Sequence, residues 1–225
     1  MDDVKGKDTD RSCEQNLDKS LIELEKANRN LKKTLNSVIE AISTIAEIHD
    51  PSMLGHQRRV AALSVAIGRK MKLPQEKIDG LKTASLVHDI GKISIPSNII
   101  SQPELFSHTA RALMRVHPTA GYKILKKIPF PQPVSLIVYQ HHERCDGSGY
   151  PLGMKGGDVL IESKILSVAD VLEAMTSKRP HREKLGLHAA QEELSKNKGR
   201  AYDATVVDAC LELIKAMGYN LNFID

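Results

Sequence analysis

The sequence predicts an all-α protein, and three observations support this fold class. Apolar residues recur at steps of three and four along most of the chain, whereas the strict alternation typical of strands is absent. Hydrophobic residues make up 41% of the 225 residues, which is enough to build one core of ordinary size. A heptad pattern precedes this core. We therefore expect an N-terminal coiled-coil helix followed by a helical domain.

Composition and charge narrow the functional classes. The net charge of +4 is spread over mixed acidic and basic residues, so it does not predict binding to a nucleic acid polymer. Three cysteines without a CxxC pair indicate a reducing compartment. No apolar run approaches the ~20 residues of a membrane helix, and the N-terminus lacks the pattern of a signal peptide. We expect a cytoplasmic protein without membrane insertion.

The first predicted element is a helix with a heptad seam. The seam positions alternate in steps of four and three, with charged residues between them, and they are Leu17, Leu21, Leu24, Asn28, Leu31, Leu35, Val38, Ile42, Ile45 and His49. This spacing is typical of a coiled coil, and a polar residue such as Asn28 inside the seam favours a parallel dimer. The alternative interpretation is a single amphipathic helix that folds back on the domain.

The end of this helix divides the chain. Pro51 ends the helix near His49, because the residue before a proline avoids the α conformation. We predict that residues 1–16 are disordered, that residues 17–49 form a signalling helix and that residues 50–225 form the catalytic domain.

Two helices of the domain each carry a histidine on the inward face. The apolar stripe of the first helix (Val60, Leu63, Ile67, Met71) extends back by one turn to His56. The stripe of the second (Ile78, Leu81, Ser85) ends at His88, which Asp89 follows directly. Both imidazoles are therefore expected in the interior.

A third helix brings a carboxylate into the core. The segment 161–175 is apolar almost all round, as a central buried helix would be, yet it contains Asp170. Because an unpaired buried carboxylate costs several kcal/mol, Asp170 requires a cation nearby. A last helix over about residues 203–217 closes the domain, and the stretches 93–104 and 146–157 are expected to be irregular.

Considered singly, an inward histidine is more often a core residue than a ligand. The set is more informative, because five imidazoles and two carboxylates are predicted for one interior: His56, His88, Asp89, His117, His141, His142 and Asp170. Two neighbouring divalent cations would satisfy these groups, and Asp89 is suited to bridge both. The sequence therefore predicts a dinuclear metal site.

The stretch HHERCDGSGYP at 141–151 fits this site. His141 and His142 lie about 100° apart on a helix end, so they can reach different metals or share one. The glycines that follow allow the chain to double back and form a wall of the pocket. The alternative is an ordinary surface turn.

These motifs resemble the HD-GYP branch of the HD phosphohydrolase superfamily. The resemblance extends from about Asp50 to Leu213 and rests on His56, HDIGK (88–92), HP (117–118), HHERCDGSGYP (141–151) and Asp170. It implies an HD-type helical bundle with a dinuclear metal centre. It also implies a phosphodiesterase that hydrolyses the bacterial messenger cyclic di-GMP to 5′-pGpG, GMP or both.

The resemblance further assigns roles to residues. The seven residues of the predicted site match metal ligands, Asp89 and Lys92 match catalytic groups, and Lys92 also matches a lysine that contacts a substrate phosphate. Tyr150, Arg179 and Arg182 match groups that hold the nucleotide.

Two metals are expected, because Ser52 occupies the position where trinuclear relatives have a glutamate. Glu47 or Asp50 could take the place of that glutamate, but Glu47 lies before the proline break and Asp50 is half a turn away from the matching position. Histidine and carboxylate donors suit six-coordinate iron or manganese.

Two other functions remain open at this point. The domain could hydrolyse another nucleotide, or it could be a catalytically weak module that binds cyclic di-GMP. The heptad seam predicts a homodimer, and its resemblance to a signalling helix suggests an upstream sensor or a diguanylate cyclase as a further partner.

Overall fold

The structure, a computed structural model, describes residues 3–101, 108–178 and 184–216. These residues form ten α-helices: α1 (Asp3–His49), α2 (His56–Lys70), α3 (Gln75–Val87), α4 (Ser97–Ser101), α5 (His108–Met114), α6 (His117–Leu125), α7 (Val134–Gln140), α8 (Ile161–Thr176), α9 (Leu187–Lys196) and α10 (Ala204–Ala216). Two short 3-10 helices cover Pro51–Met53 and Ile90–Ser94. Strands are absent from the described residues apart from two isolated bridges. The all-α prediction is confirmed.

The chain divides into two compact units, Met1–Ala41 and Ile42–Asp225. The first unit contains most of α1, which begins at Asp3, so the segment predicted to be disordered is helical from its third residue. Apolar side chains of the seam are exposed, with relative exposures of 62% for Leu17, 66% for Leu24 and 69% for Leu31. None of the described helices is both long and apolar enough to span a membrane.

The core of the second unit lies between α2, α3, α8 and α10. The predicted stripes point into it: Val60 and Ile67 of α2 and Leu81 of α3 are fully buried. Helix α8 buries Leu166 and Leu172 completely, as expected for a central helix. The predicted bounds of α8 and α10 agree with the structure to within about two residues.

Two stretches were predicted to lack regular secondary structure, and the structure contains helical residues in the first of them. Within the first stretch, the described residues 93–101 contain the end of a 3-10 helix and the short helix α4, so they are more regular than expected. The glycine-rich loop 146–157 is non-helical and contains one bridge between Asp146 and Lys155.

Gly91 allows two elements of the second unit to approach closely. A Cβ atom at this position would lie 1.9 Å from the carbonyl oxygen of His117, at the start of α6. Only glycine fits there, because any side chain would overlap the backbone of α6. The glycine of the HDIGK motif thus allows the 3-10 helix Ile90–Ser94 to pack against the start of α6.

Candidate metal centre

The ends of four helices meet beside the middle of α8. His56 begins α2, His88 follows the last residue of α3, His117 begins α6 and His141 follows α7. Asp170 comes from α8. The structure brings all seven predicted ligands together, and their nitrogen and oxygen atoms form overlapping groups within 4.8 Å.

One group, here called the imidazole cluster, consists of His117, His141 and His142. The Nδ1 atom of His117 hydrogen-bonds the carbonyl oxygen of Met114 at 2.7 Å, and that of His141 the carbonyl of Val138 at 2.6 Å. Since a carbonyl only accepts hydrogen bonds, we assign the proton of each ring to Nδ1. Each Nε2 atom is then left with a lone pair.

These lone pairs converge. The Nε2 atoms of His117 and His141 lie 3.3 Å apart, and both belong to buried rings. Burial lowers the pKa of His117 to about 4 and that of His141 to about 3, so both rings are neutral at pH 7. Two donors bound about 2.1 Å from one ion are separated by about 3 to 3.4 Å. The pair is therefore spaced as metal ligands are.

The second group, here called the acidic cluster, consists of His56, His88 and Asp170. The Nε2 atom of His56 is buried without a well-aligned hydrogen bond, although Asp170 Oδ1 is 3.2 Å away. The Nδ1 atom of His88 bonds the carbonyl oxygen of Ser85 at 2.8 Å, so its Nε2 atom also faces the site. A cation would satisfy these atoms.

Negative charge dominates the acidic cluster. Burial opposes protonation of His56, but Asp170 and Glu173 outweigh burial and raise the pKa of His56 to about 9. Burial likewise tends to raise the pKa of Asp170, but neighbouring histidines hold it well below its usual range. The cluster is arranged to stabilise positive charge.

Asp89 lies between the two clusters. Its Oδ2 atom is 3.5 Å from His88 Nε2, and its Oδ1 atom is 3.4 Å from His117 Nε2. Burial tends to raise the pKa of Asp89, but Lys92 and the surrounding histidines hold it well below its usual range. The carboxylate is therefore ionised, and each oxygen faces a different cluster.

Two of the four residues predicted to bind the substrate lie in the part of the chain that the structure describes. Lys92 reaches the centre, with its Nζ atom 2.7 Å from Asp89 Oδ2. The Tyr150 ring stacks on His142 with a centroid distance of 4.7 Å. Arg179 and Arg182 lie outside the described residues, so their role remains a prediction from the resemblance.

Sequence analysis missed the residues that support the ligands. The carboxylate of Glu173 hydrogen-bonds Nδ1 of His56 and also pairs with Arg59 at 2.7 Å. Glu143 accepts hydrogen bonds from the backbone N–H groups of Leu152 and Met154, and so braces the loop that carries Tyr150. One signal was available for Glu173: it lies three residues after Asp170 and therefore on the same helix face.

The comparison with protein families agrees with this geometry. The family model described as HD domain matches residues 40–206, which cover most of the chain and all seven predicted ligands.

The chain belongs to the HD domain family.

The resemblance to the HD-GYP branch is confirmed by relatives. A "Cyclic di-GMP phosphodiesterase" of Thermotoga maritima is 36% identical over 183 residues, which cover 80% of this chain and 50% of the relative. The "Cyclic di-GMP phosphodiesterase response regulator RpfG" of Xanthomonas campestris pv. campestris is 34% identical over 202 residues, which cover 89% of this chain and 52% of that protein. The chain thus spans about half the length of these curated relatives.

A solved structure supports the fold. An HDG"Y"P protein from Bdellovibrio bacteriovorus superposes with a TM-score of 0.60 at 24% identity, covering 71% of this chain and 51% of that one. At this identity the likeness extends to the fold alone.

Proposed function

We propose that this protein is a metal-dependent phosphodiesterase that hydrolyses cyclic di-GMP to 5′-pGpG, GMP or both. The observation that carries this proposal is Asp89, whose two oxygens lie 3.5 Å from His88 Nε2 and 3.4 Å from His117 Nε2. A carboxylate between two ligand groups is the bridge that a dinuclear hydrolase requires. Both relatives described above are named cyclic di-GMP phosphodiesterases, which supports cyclic di-GMP as the substrate.

The proposed cofactor is a pair of divalent cations, iron or manganese, because these metals accept six histidine and carboxylate donors. The acidic cluster would hold one and the imidazole cluster the other, with Asp89 shared. These residues would hold the two cations, which would supply Lewis-acid activation of water and of the phosphodiester. The converging lone pairs of His117 and His141 and the unsatisfied Nε2 atom of His56 support this fit.

The protein's own side chains would bind and orient the nucleotide. Lys92 has 11% of its side chain exposed at the centre, where its ammonium group can neutralise a phosphate oxygen. Tyr150 presents an aromatic ring beside His142, at the position where the bound substrate is expected. Arg179 and Arg182 are proposed to make further contacts to the phosphates or guanine edges.

A direct experiment tests the proposed function. The protein is purified without oxygen, loaded with iron or manganese and incubated with cyclic di-GMP, and the products are separated by chromatography while the metals per chain are counted. We expect 5′-pGpG or GMP and two metals. Binding of cyclic di-GMP without turnover would instead identify a binding module, and preferential cleavage of another nucleotide would overturn the assigned substrate.

We also propose a parallel homodimer formed through the heptad seam. Its apolar residues are spaced as a coiled coil requires, and Leu17, Leu24 and Leu31 are more than half exposed in the single chain. Such a helix is suited to receive a signal from an upstream sensor or a diguanylate cyclase. We place the protein in the cytoplasm, where this messenger is made and degraded.

Light scattering tests the dimer. Replacing Leu24 and Leu31 by glutamate puts charge into the seam and is expected to shift the full chain toward monomer. The control is Ile22→Glu, because Ile22 is 63% exposed but lies outside the seam. A wild-type monomer at about 50 μM would overturn the dimer.

A further inference from the structure

Asp50 is a buried carboxylate at the edge of the metal centre. It lies between the end of α1 and the 3-10 helix Pro51–Met53, and it is 4% exposed. Its Oδ1 atom accepts hydrogen bonds from the backbone N–H and the hydroxyl of Ser52, at 3.2 and 2.5 Å. Its Oδ2 atom faces the other way and lies 3.8 Å from Nζ of Lys92. The two oxygens thus have separate partners.

Lys92 is held between two carboxylates. Its ammonium group is 2.7 Å from Asp89 Oδ2 and 3.8 Å from Asp50 Oδ2. If the oxygens of Asp89 bind metals, the cations neutralise the charge of this carboxylate and weaken its attraction for the ammonium group of Lys92. Among the described residues, Asp50 is then the carboxylate that remains beside the ammonium group.

We infer that Asp50 is a positioning residue, which holds the ammonium group of Lys92 toward the substrate phosphate once Asp89 is bound to metal. This inference rests on the proposed phosphodiesterase function. A lysine side chain without a partner populates several rotamers, whereas a buried charge pair restricts it to one orientation. Asp50 touches neither metal ligands nor substrate in this role, and it acts through Lys92.

The same turn of the chain holds the segment that carries Lys92 through a second contact. The Nε2 atom of His49, the last residue of α1, lies 2.9 Å from the carbonyl oxygen of Ile95, just after the 3-10 helix Ile90–Ser94. Two consecutive residues therefore contact the segment that carries Lys92. Asp50 contacts the side chain of Lys92, and His49 contacts the backbone of Ile95. The position of Lys92 depends on this turn.

The test is a double-mutant cycle on the full-length, metal-loaded protein. Asp50→Asn retains an oxygen for Ser52 but removes the charge beside Lys92. We expect a loss of about three- to tenfold in kcat/KM for cyclic di-GMP, with metal content and melting temperature close to wild type. In the background of Lys92→Met, which has no ammonium group to position, Asp50→Asn is expected to change kcat/KM by less than about twofold.

The matched control is Ser52→Ala, which removes the hydroxyl partner of Asp50 Oδ1 and leaves the contact to Lys92. Its kcat/KM is expected to stay within about twofold of wild type. Asp50→Glu, which restores the charge, should recover part of the activity. Equal losses from Asp50→Asn in both backgrounds, no loss in either, or loss of metal would overturn the inference. An inactive wild type would instead count against the proposed function itself.

Discussion

The acidic cluster and the imidazole cluster are each suited to a cation, but for different physical reasons. In the acidic cluster, carboxylates raise the pKa of His56 to about 9, so negative charge is the main attraction for a cation. In the imidazole cluster, burial lowers the pKa of His117 to about 4, and neutral lone pairs provide the attraction. One centre thus combines a half that depends on negative charge with a half that depends on the fixed geometry of neutral imidazoles.

Their supports differ at one residue. His56 of the acidic cluster is oriented by the side chain of Glu173, whereas His88, His117 and His141 are oriented by backbone carbonyl oxygens three residues earlier. A side-chain support can be removed by substitution, but a backbone support can be disturbed only by moving the chain. Substitutions at Asp89, Glu173 and Gly91 therefore test whether the two clusters depend on different supports.

Substitution of Asp89 should affect both clusters at once. Asp89→Asn is expected to lower kcat by on the order of a hundredfold or more and to reduce the metal content below two ions per chain, because an amide is a weak ligand. Elemental analysis and turnover of cyclic di-GMP measure this. Asp146→Asn is the control, because it makes the same chemical change outside the two clusters. The Asp146 carboxylate accepts a hydrogen bond from the backbone N–H of Ser148 in the glycine-rich loop. Full metal content in Asp89→Asn would contradict the bridging role.

Substitution of Glu173 should weaken the acidic cluster alone. Glu173→Gln keeps the shape but removes the charge behind His56, and we expect metal affinity to fall about ten- to a hundredfold at one of the two sites. Metal titration followed by calorimetry resolves the two sites. Ser177→Ala is the control, because it removes a hydrogen-bond donor to Glu173 at 2.6 Å but leaves the carboxylate on His56. Equal weakening of both sites would remove the distinction between the clusters.

Substitution of Gly91 should disturb the imidazole cluster through the backbone. Gly91→Ala places a methyl group against the carbonyl oxygen of His117, so we expect the free energy of unfolding to fall by about 1 to 3 kcal/mol. Denaturant unfolding measures it. The control is Gly157→Ala, since nothing lies within 4 Å of the added methyl group there. A stable Gly91→Ala protein with both metals would show that α6 can move without loss.

The smallest effect is expected at Tyr150. Because the ring stacks on His142, Tyr150→Phe should retain kcat/KM for cyclic di-GMP within about twofold, whereas Tyr150→Ala should lower it by about three- to tenfold. Steady-state kinetics on metal-loaded protein measure both variants. Equal losses in the two variants would mean that the hydroxyl group, and not the ring, is what Tyr150 contributes.

The sequence by itself determined the helical fold class, the inward faces of α2, α3 and α8, and the seven residues that meet at the centre. Helical periodicity is a local property, so His56 and His88 could be assigned to a buried face from their spacing to apolar neighbours alone. The remaining residues of the centre were predicted as members of one set of interior imidazoles and carboxylates, and the resemblance to a family matched the same seven residues to metal ligands.

The division of these residues into two clusters and the groups that support them follow from the packing between helices. Residues from different helices meet in three features of the centre. These are the two clusters, the position of Asp89 between them and the contact of Asp50 with Lys92. Helical periodicity does not specify which helix ends meet. The roles of Gly91 and Glu173 have the same origin, because each depends on a neighbour that is distant in sequence. A local pattern determines which face of a helix is buried, whereas packing between helices determines which atoms that face contacts.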